Sequence, residues 1–172
     1  IYQARGDIFL KGSTHLASGV LAAAVCTTLN VQEGSELALA AGIIIGSVLP
    51  DIDKSSSLLG RHVPIIPILL KHRGVSHSLL FAALFLPFAP AVTAGCIIHL
   101  VLDMMNPAGV NLLWPWGKKF RLPIRGKSGG WMDRLMGSVM WALAELLFAC
   151  ICFGVEIPGL PKTSVLLQSA FT

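Results

Sequence analysis

An uncharged run of twenty residues, Leu79–Ile98, constrains this chain more than any other feature. A run of this length either crosses a lipid bilayer or lies in a protein core. Its two prolines, Pro87 and Pro90, disrupt a regular helix because each lacks a backbone donor and clashes with the preceding turn. A straight helix would separate His77 from His99 by about 33 Å, at 1.5 Å per residue. We therefore predict that the chain reverses at the two prolines and forms a helical hairpin with both histidines at one end.

Three further apolar stretches accompany this run, and charged residues are scarce throughout. The stretches are Leu16–Leu29, Leu37–Leu49 and Leu135–Val155. Only 13% of the 172 residues are charged, whereas soluble domains carry about 25%. This composition argues against a disordered chain, a coiled coil and an ordinary soluble enzyme. We predict an all-α fold, namely a small integral membrane helical bundle with a proline-broken helical hairpin.

The basic residues are distributed unevenly among the connections. Two precede the first stretch, four lie between the second and third, and six lie between the third and fourth. With the third stretch folded as a hairpin, twelve of the thirteen Lys and Arg residues lie on one side of the membrane. If that stretch crosses once instead, the two basic loops lie on opposite sides. The positive-inside rule favours the hairpin and makes the basic side cytoplasmic. We expect a multi-pass membrane protein whose basic side faces the cytoplasm.

Four histidines and three aspartates occur at that same side, next to the ends of the apolar stretches. They are His15, Asp51, Asp53, His72, His77, His99 and Asp103. Imidazole and carboxylate groups bind zinc and similar divalent ions where thiolates are absent, and the four cysteines lack metal-ligand spacing. His99 and Asp103 are four residues apart and point the same way on a helix. The joint pattern predicts a site for one to three divalent ions, with zinc favoured, at the cytoplasmic membrane boundary.

Each of these residues has a simpler explanation when it is taken alone. His15 at a helix start is typical of a capping residue, and Asp51 with Asp53 is typical of a helix stop and turn. A hydrogen bond between residues i and i+4 would account for His99 and Asp103. The combination favours the metal site, because apolar chains rarely retain ionisable groups near a membrane without a use.

Two motifs resemble a known family. They are His72-Arg73-Gly74-x-Ser76-His77-Ser78 and Asn106-Pro107-x-Gly109-x-x-Leu112-Leu113-Trp114-Pro115. With the histidines and aspartates above, they are similar to the YdjM/YbcI-type family of bacterial inner-membrane metal-dependent hydrolases, over roughly residues 13–135. That resemblance implies a metal-dependent hydrolase in the inner membrane.

The order of these residues is more distantly similar to the zinc-dependent phospholipase C and P1-nuclease group. Those are helical enzymes whose clustered zinc ions cleave phosphodiesters. By position, His15 and Asp51 would share one ion, while another would be held by His72, His99 and Asp103. The group also uses late histidine ligands, whereas no histidine follows His99 in this chain.

The expected function is a membrane-bound metal-dependent hydrolase of phosphoesters such as phospholipids or lipid-linked phosphates. Asp51 or Asp53 would bridge metals or act as the base, and Arg73 would neutralise the phosphate charge. The alternative is a non-enzymatic divalent-metal carrier or a metal-stabilised membrane scaffold. We expect membrane lipid and a phosphorylated or lipid substrate as partners. Nucleic acid is disfavoured, because the aromatic and basic segment Trp114–Arg125 suits a membrane interface better.

Three segments are expected along the chain. Residues 1–12 would be a flexible leader or extension, and 13–157 would form the membrane metal-hydrolase domain. Residues 158–172 would form a tail.

Overall fold

The chain folds into helices joined by turns. The computed structural model describes residues 3–29, 31, 35–63, 65, 74–123, 129–153 and 155. The α-helices in this part of the chain are α1 (Gln3–Thr28), α2 (Glu36–Val48), α3 (Leu79–Ala83), α4 (Pro90–Met104) and α5 (Trp131–Phe153). The short 3₁₀ helices are η1 (Leu49–Asp53), η2 (Gly60–His62) and η3 (Val75–His77). The predicted all-α class is confirmed, and every apolar stretch of the sequence contributes to a helix.

Helix α1 is the central element of the bundle. Both α2 and α5 pack against α1, and α4 packs against α2. The approach of α2 to α4 is close because glycines line it. A Cβ atom on Gly95 would overlap the carbonyl oxygen of Ile43, and one on Gly46 would overlap that of Val92. Small residues of this kind let two helix backbones approach closely. As a result, the C-terminal half of α2 packs against the first half of α4, and the carbonyl of Ser47 near the end of α2 reaches His99.

The chain reverses between α3 and α4, as the two prolines predict. Helix α3 is a single short helix of five residues, and α4 begins at Pro90. The hydroxyl of Thr93 on α4 donates a 3.1 Å hydrogen bond to the carbonyl of Ala82 on α3. The first arm of the hairpin is therefore much shorter than the second. His77 and His99 lie at the same end of it.

Helix α5 presents an apolar surface to its surroundings. It is 23 residues long, and it is the one described helix that is long and apolar enough to cross a membrane. Only Gly137 and Ala144 are buried, whereas Leu146 and Phe148 are 60% and 65% exposed. A lipid environment explains such a surface, since contiguous apolar patches of this kind are rare on soluble proteins. The multi-pass topology stays a prediction.

The three predicted segments can be compared with the described residues. Helix α1 begins at Gln3, within the segment expected to be a flexible extension, and continues without a break to Thr28. The predicted tail, 158–172, lies outside the described residues. The assignment of 13–157 to one domain stays a prediction.

Candidate metal centre

Five of the seven predicted ligand residues approach one another at one end of the bundle. His15 comes from α1, Asp51 from η1 and His77 from η3, while His99 and Asp103 both come from α4. His15 Nε2 lies 3.5 Å from Asp103 Oδ1. His77 Nε2 lies 3.4 Å from Asp103 Oδ2 and 3.7 Å from Asp51 Oδ1. Four separate elements thus deliver donor atoms to one small volume.

Local sequence explains how these side chains are delivered. His99 and Asp103 share one face of α4 because they are one helical turn apart. Pro50 cannot continue the hydrogen bonding of α2, so the chain tightens into η1 and turns Asp51 toward the histidines. The Ser78 hydroxyl accepts a 3.2 Å hydrogen bond from the backbone N–H of Phe81 and caps α3. The cap fixes where η3 ends and hence the position of His77.

Backbone and side-chain partners fix the orientation of two imidazole rings. His99 Nδ1 lies 2.7 Å from the carbonyl oxygen of Ser47, and a carbonyl can only accept, so Nδ1 carries the proton. His77 Nδ1 lies 3.3 Å from Asp53 Oδ2 and 3.0 Å from the hydroxyl of Ser76. Both rings consequently direct Nε2 toward the cluster, where the two Nε2 atoms lie 3.4 Å apart. A neutral imidazole held in this way offers its Nε2 lone pair to a metal.

The spacing of the donors fits a divalent metal. Two sets of three donors have all their ligand atoms within 4.8 Å of one another: His15, His99 and Asp103, and Asp51, His77 and His99. Ligands about 2.0–2.1 Å from a tetrahedral zinc ion lie about 3.3 Å from one another. The separations of 3.4 Å between His77 Nε2 and His99 Nε2 and 3.9 Å between His99 Nε2 and Asp103 Oδ2 are close to that value. His99 belongs to both sets and is therefore the central donor.

The environment of the cluster is nearly closed to solvent. The side chains of His77 and His99 are fully buried, and the Asp51 side chain is 13% exposed. The rings of His15 and His99 stack with centroids 3.9 Å apart. His15 Nδ1 is buried without a hydrogen-bond partner among the described residues. An uncompensated polar atom in a buried cluster costs stability, so a bound ion is a reasonable complement to this arrangement.

The carboxylates and imidazoles shift one another's protonation. Burial alone would lower the pKa of the His77 imidazole. The neighbouring carboxylates of Asp103, Asp51 and Asp53 outweigh burial and raise this pKa well above its ordinary value. Burial alone would raise the pKa of Asp51, but the hydrogen bond with His77 and the adjacent imidazoles lower it below its usual range. Without a metal, a proton on His77 offsets the buried carboxylate charge.

The remaining predicted residues lie elsewhere or outside the described part of the chain. Asp53 is buried and contacts Nδ1 of His77, on the side of the ring that faces away from the other donors. The Ser76 hydroxyl donates a short hydrogen bond to the same carboxylate. His72 and Arg73 lie outside the described residues. Sequence reasoning missed the Ser47 carbonyl that orients His99, because any residue can supply a backbone carbonyl.

Comparison with known sequences finds one matching family and several relatives. The family described as YdjM inner membrane protein matches residues 10–159. The chain is 31% identical over 142 residues to the uncharacterised protein YvsG of Bacillus subtilis, which covers 74% of this chain and 87% of that protein. It is 37% identical over 122 residues to the inner membrane protein YdjM of Escherichia coli, which covers 58% of this chain and 62% of that protein. No solved structure matches the chain. The chain belongs to the YdjM inner membrane protein family.

Proposed function

We propose that this chain is a membrane-bound metal-dependent hydrolase of phosphoesters, with phospholipids or lipid-linked phosphates as substrates. The convergence of three imidazoles and two carboxylates at one end of an apolar bundle carries the proposal. Nitrogen and oxygen donors of this kind suit zinc, and zinc sites with hydrolytic activity use them widely.

The proposed ligands are the five residues that converge: His15, Asp51, His77, His99 and Asp103. A divalent ion held there would act as a Lewis acid on a phosphoryl oxygen and would lower the pKa of water. We assign Asp51 the role of proton acceptor, because its side chain is the most accessible of the five donors. A proton acceptor has to reach the incoming water molecule, whereas a fully buried imidazole serves better as a fixed ligand.

We assign Asp53 a role other than metal bridge or base, the two roles that its position in the sequence favours. It contacts the Nδ1 atom of His77, and Ser76 donates a hydrogen bond to it. A carboxylate on the second nitrogen of a ligating histidine fixes the ring and increases its basicity. We therefore propose that Asp53 and Ser76 orient His77, while Asp51 acts at the reacting atoms. Arg73 keeps its proposed role as the cation that neutralises the phosphate.

The proposed orientation sets the cluster at the cytoplasmic face of the inner membrane. Helices α2 and α4 end at the cluster, and the basic residues Lys54, Arg61 and Lys118 lie in the connections that follow these helices. The positive-inside rule favours the cytoplasm for that side. A site at the membrane surface suits a substrate whose phosphate lies at headgroup level and whose chains stay in lipid.

A non-enzymatic metal site is the second candidate. The complete burial of His77 and His99 favours it, since structural metal sites are closed whereas catalytic sites keep an open position. In this case the ion would tie α1, η1, η3 and α4 together, or it would be carried across the membrane.

Hydrolysis by the purified protein with added zinc distinguishes the candidates. We expect release of product from fluorescent phosphatidic acid or phosphatidylglycerol, and loss of that activity in both His99→Ala and Asp103→Ala. His62→Ala is the matched control, because His62 is exposed on η2 and does not belong to the cluster. Activity that survives both cluster substitutions would contradict the assignment. Zinc uptake into proteoliposomes without hydrolysis would establish the carrier instead.

A further inference from the structure

A loop rich in tryptophan and basic residues extends from the end of the bundle that carries the metal centre. We call residues 110–123 the tryptophan loop. Val110 and Phe120 pair through two backbone hydrogen bonds of 2.8 and 3.0 Å, so the base of the loop has the form of a β-hairpin. Val110 is fully buried. The loop is therefore closed at its base by hydrogen bonds of the protein's own backbone.

The tip of the tryptophan loop is exposed, aromatic and positively charged. Trp116 is 80% exposed and Trp114 is 39% exposed. Lys118, Lys119 and Arg121 are exposed as well, and none of them forms an ion pair with another described residue. The sequence has no Asp or Glu from 104 to 132. The surface thus combines indole rings with cations that pair with no carboxylate in the part of the chain that the structure describes.

This combination of indole rings and cations favours an anionic membrane surface. Tryptophan side chains favour the headgroup level of a bilayer, because the ring is apolar and its N–H needs a polar partner. Lys and Arg side chains near a membrane are attracted by anionic headgroups. Stacking on nucleobases would use the same residue types. The exposed apolar residues of the helices favour lipid as the partner.

The tryptophan loop is tied to the metal centre at both ends. The backbone N–H of Leu79, two residues after His77, donates a 2.9 Å hydrogen bond to the carbonyl of Leu112. The backbone N–H of Leu122 donates a 2.9 Å hydrogen bond to the carbonyl of Met104, the residue after Asp103. The base of the loop therefore lies next to the segments that carry His77 and Asp103.

We propose that the tryptophan loop binds anionic phospholipid headgroups and holds them beside the metal centre. The binding of lipid by the loop is independent of the function proposed above. The further statement that the bound lipid is the substrate rests on that function. The cations neutralise the headgroup phosphate, and the indole rings insert at the level of the glycerol backbone.

The retained lipid provides the test. The full chain is reconstituted in nanodiscs of phosphatidylcholine and phosphatidylglycerol and then returned to mild detergent, and the lipid that stays bound is quantified by mass spectrometry. We expect phosphatidylglycerol to be enriched over its share of the mixture. The triple variant Lys118→Gln, Lys119→Gln, Arg121→Gln should lower this enrichment by at least about fivefold, since each cation near a membrane contributes about that factor.

The matched control is Arg61→Gln, which removes one exposed cation at the same end of the bundle but outside the loop. It should lower the enrichment less than Arg121→Gln, which removes one exposed cation within the loop. Thermal unfolding of the triple variant should match the wild type. Equal enrichment in the wild type and the triple variant would overturn the proposal. A wild type that binds a DNA oligonucleotide and shows no lipid preference would overturn it too, and would assign the loop to nucleic acid. The lipid-retention measurement requires no turnover, so its result tests lipid binding even if the hydrolysis assay detects no activity.

Discussion

The Nε2 atoms of His77 and His99 lie 3.4 Å apart although 22 positions separate the residues in sequence. The reversal between α3 and α4 closes this distance. The Nδ1 atom of each ring has its own partner, the Ser47 carbonyl for His99 and the Asp53 carboxylate for His77. The two lone pairs are thus directed at each other by groups on the outside of the cluster. Two lone pairs that face each other in a buried cluster raise the free energy of the folded state unless a proton or an ion lies between the rings.

His99→Ala should lose bound zinc. His99 is shared by both sets of donors, so its removal leaves each with only two ligands. We expect the zinc content of purified protein, measured by elemental mass spectrometry, to fall at least about tenfold. His62→Ala should keep the wild-type content. Equal zinc in His99→Ala and the wild type would mean that the metal, if any, is bound elsewhere.

Asp53→Asn and Asp51→Asn should have different effects. Asp53 contacts the Nδ1 atom of His77, which faces away from the other donors. Its substitution should therefore weaken zinc affinity by about 10–100-fold and leave the stoichiometry at saturation unchanged. Asp51 contributes a donor of its own, so its substitution should reduce the number of ions bound. Titration with a competing chelator measures both quantities. A loss of stoichiometry in Asp53→Asn alone would make Asp53 a ligand.

Zinc affinity should fall as the pH is lowered. A metal needs the unprotonated imidazole, and the neighbouring carboxylates raise the pKa of His77 well above its ordinary value in the metal-free protein. A proton therefore competes with zinc at a higher pH than it would at an isolated histidine. Chelator titrations at a series of pH values should show this decline beginning at a pH well above the ordinary pKa of histidine. An affinity that stays constant until the pH reaches that ordinary pKa would argue against His77 as a ligand.

Gly95→Ala should destabilise the bundle. The added Cβ atom would overlap the Ile43 carbonyl oxygen and force α2 away from α4. Overpacking of this kind costs about 1–3 kcal/mol. The zinc content should fall with it, because α4 carries His99 and Asp103 and α2 leads into η1, which carries Asp51. Ala94→Ser, at an exposed position on the same helix, is the control. Thermal unfolding in detergent is the measurement, and an unchanged midpoint for Gly95→Ala would disprove the close contact.

The tip of the hairpin should lie in the hydrocarbon layer rather than in water. Helix α4 has 15 residues and spans about 22 Å, whereas the hydrocarbon core is about 30 Å thick. Leu84, Leu86 and Phe88 are exposed at the tip, and its backbone N–H groups bond within the turn. In a variant without native cysteines, Leu86→Cys should resist a membrane-impermeant maleimide from both sides, while Lys119→Cys should react from the cytoplasm. Labelling of Leu86→Cys from the periplasm would show that the hairpin crosses completely.

The sequence by itself determined the class of fold and most of the cluster. Apolar stretches without charges have to be helices in a lipid environment, because only helices satisfy their own backbone groups there. Two prolines three residues apart predicted the reversal, and the type and position of the histidines and aspartates predicted a metal site. These conclusions depend on residue type and spacing, which are local properties of a chain.

Only the tertiary structure decided what each carboxylate contacts. Asp51 and Asp53 are two residues apart and equivalent in sequence, yet η1 directs Asp51 to the Nε2 side of His77 and Asp53 to its Nδ1 side. The sequence could not predict the contact of His99 with the Ser47 carbonyl either, since a backbone carbonyl is the same in every residue. Distances of 3–4 Å between groups on different helices depend on how closely those helices pack. That packing rests on Gly46 and Gly95, whose importance emerges only when α2 and α4 are in contact.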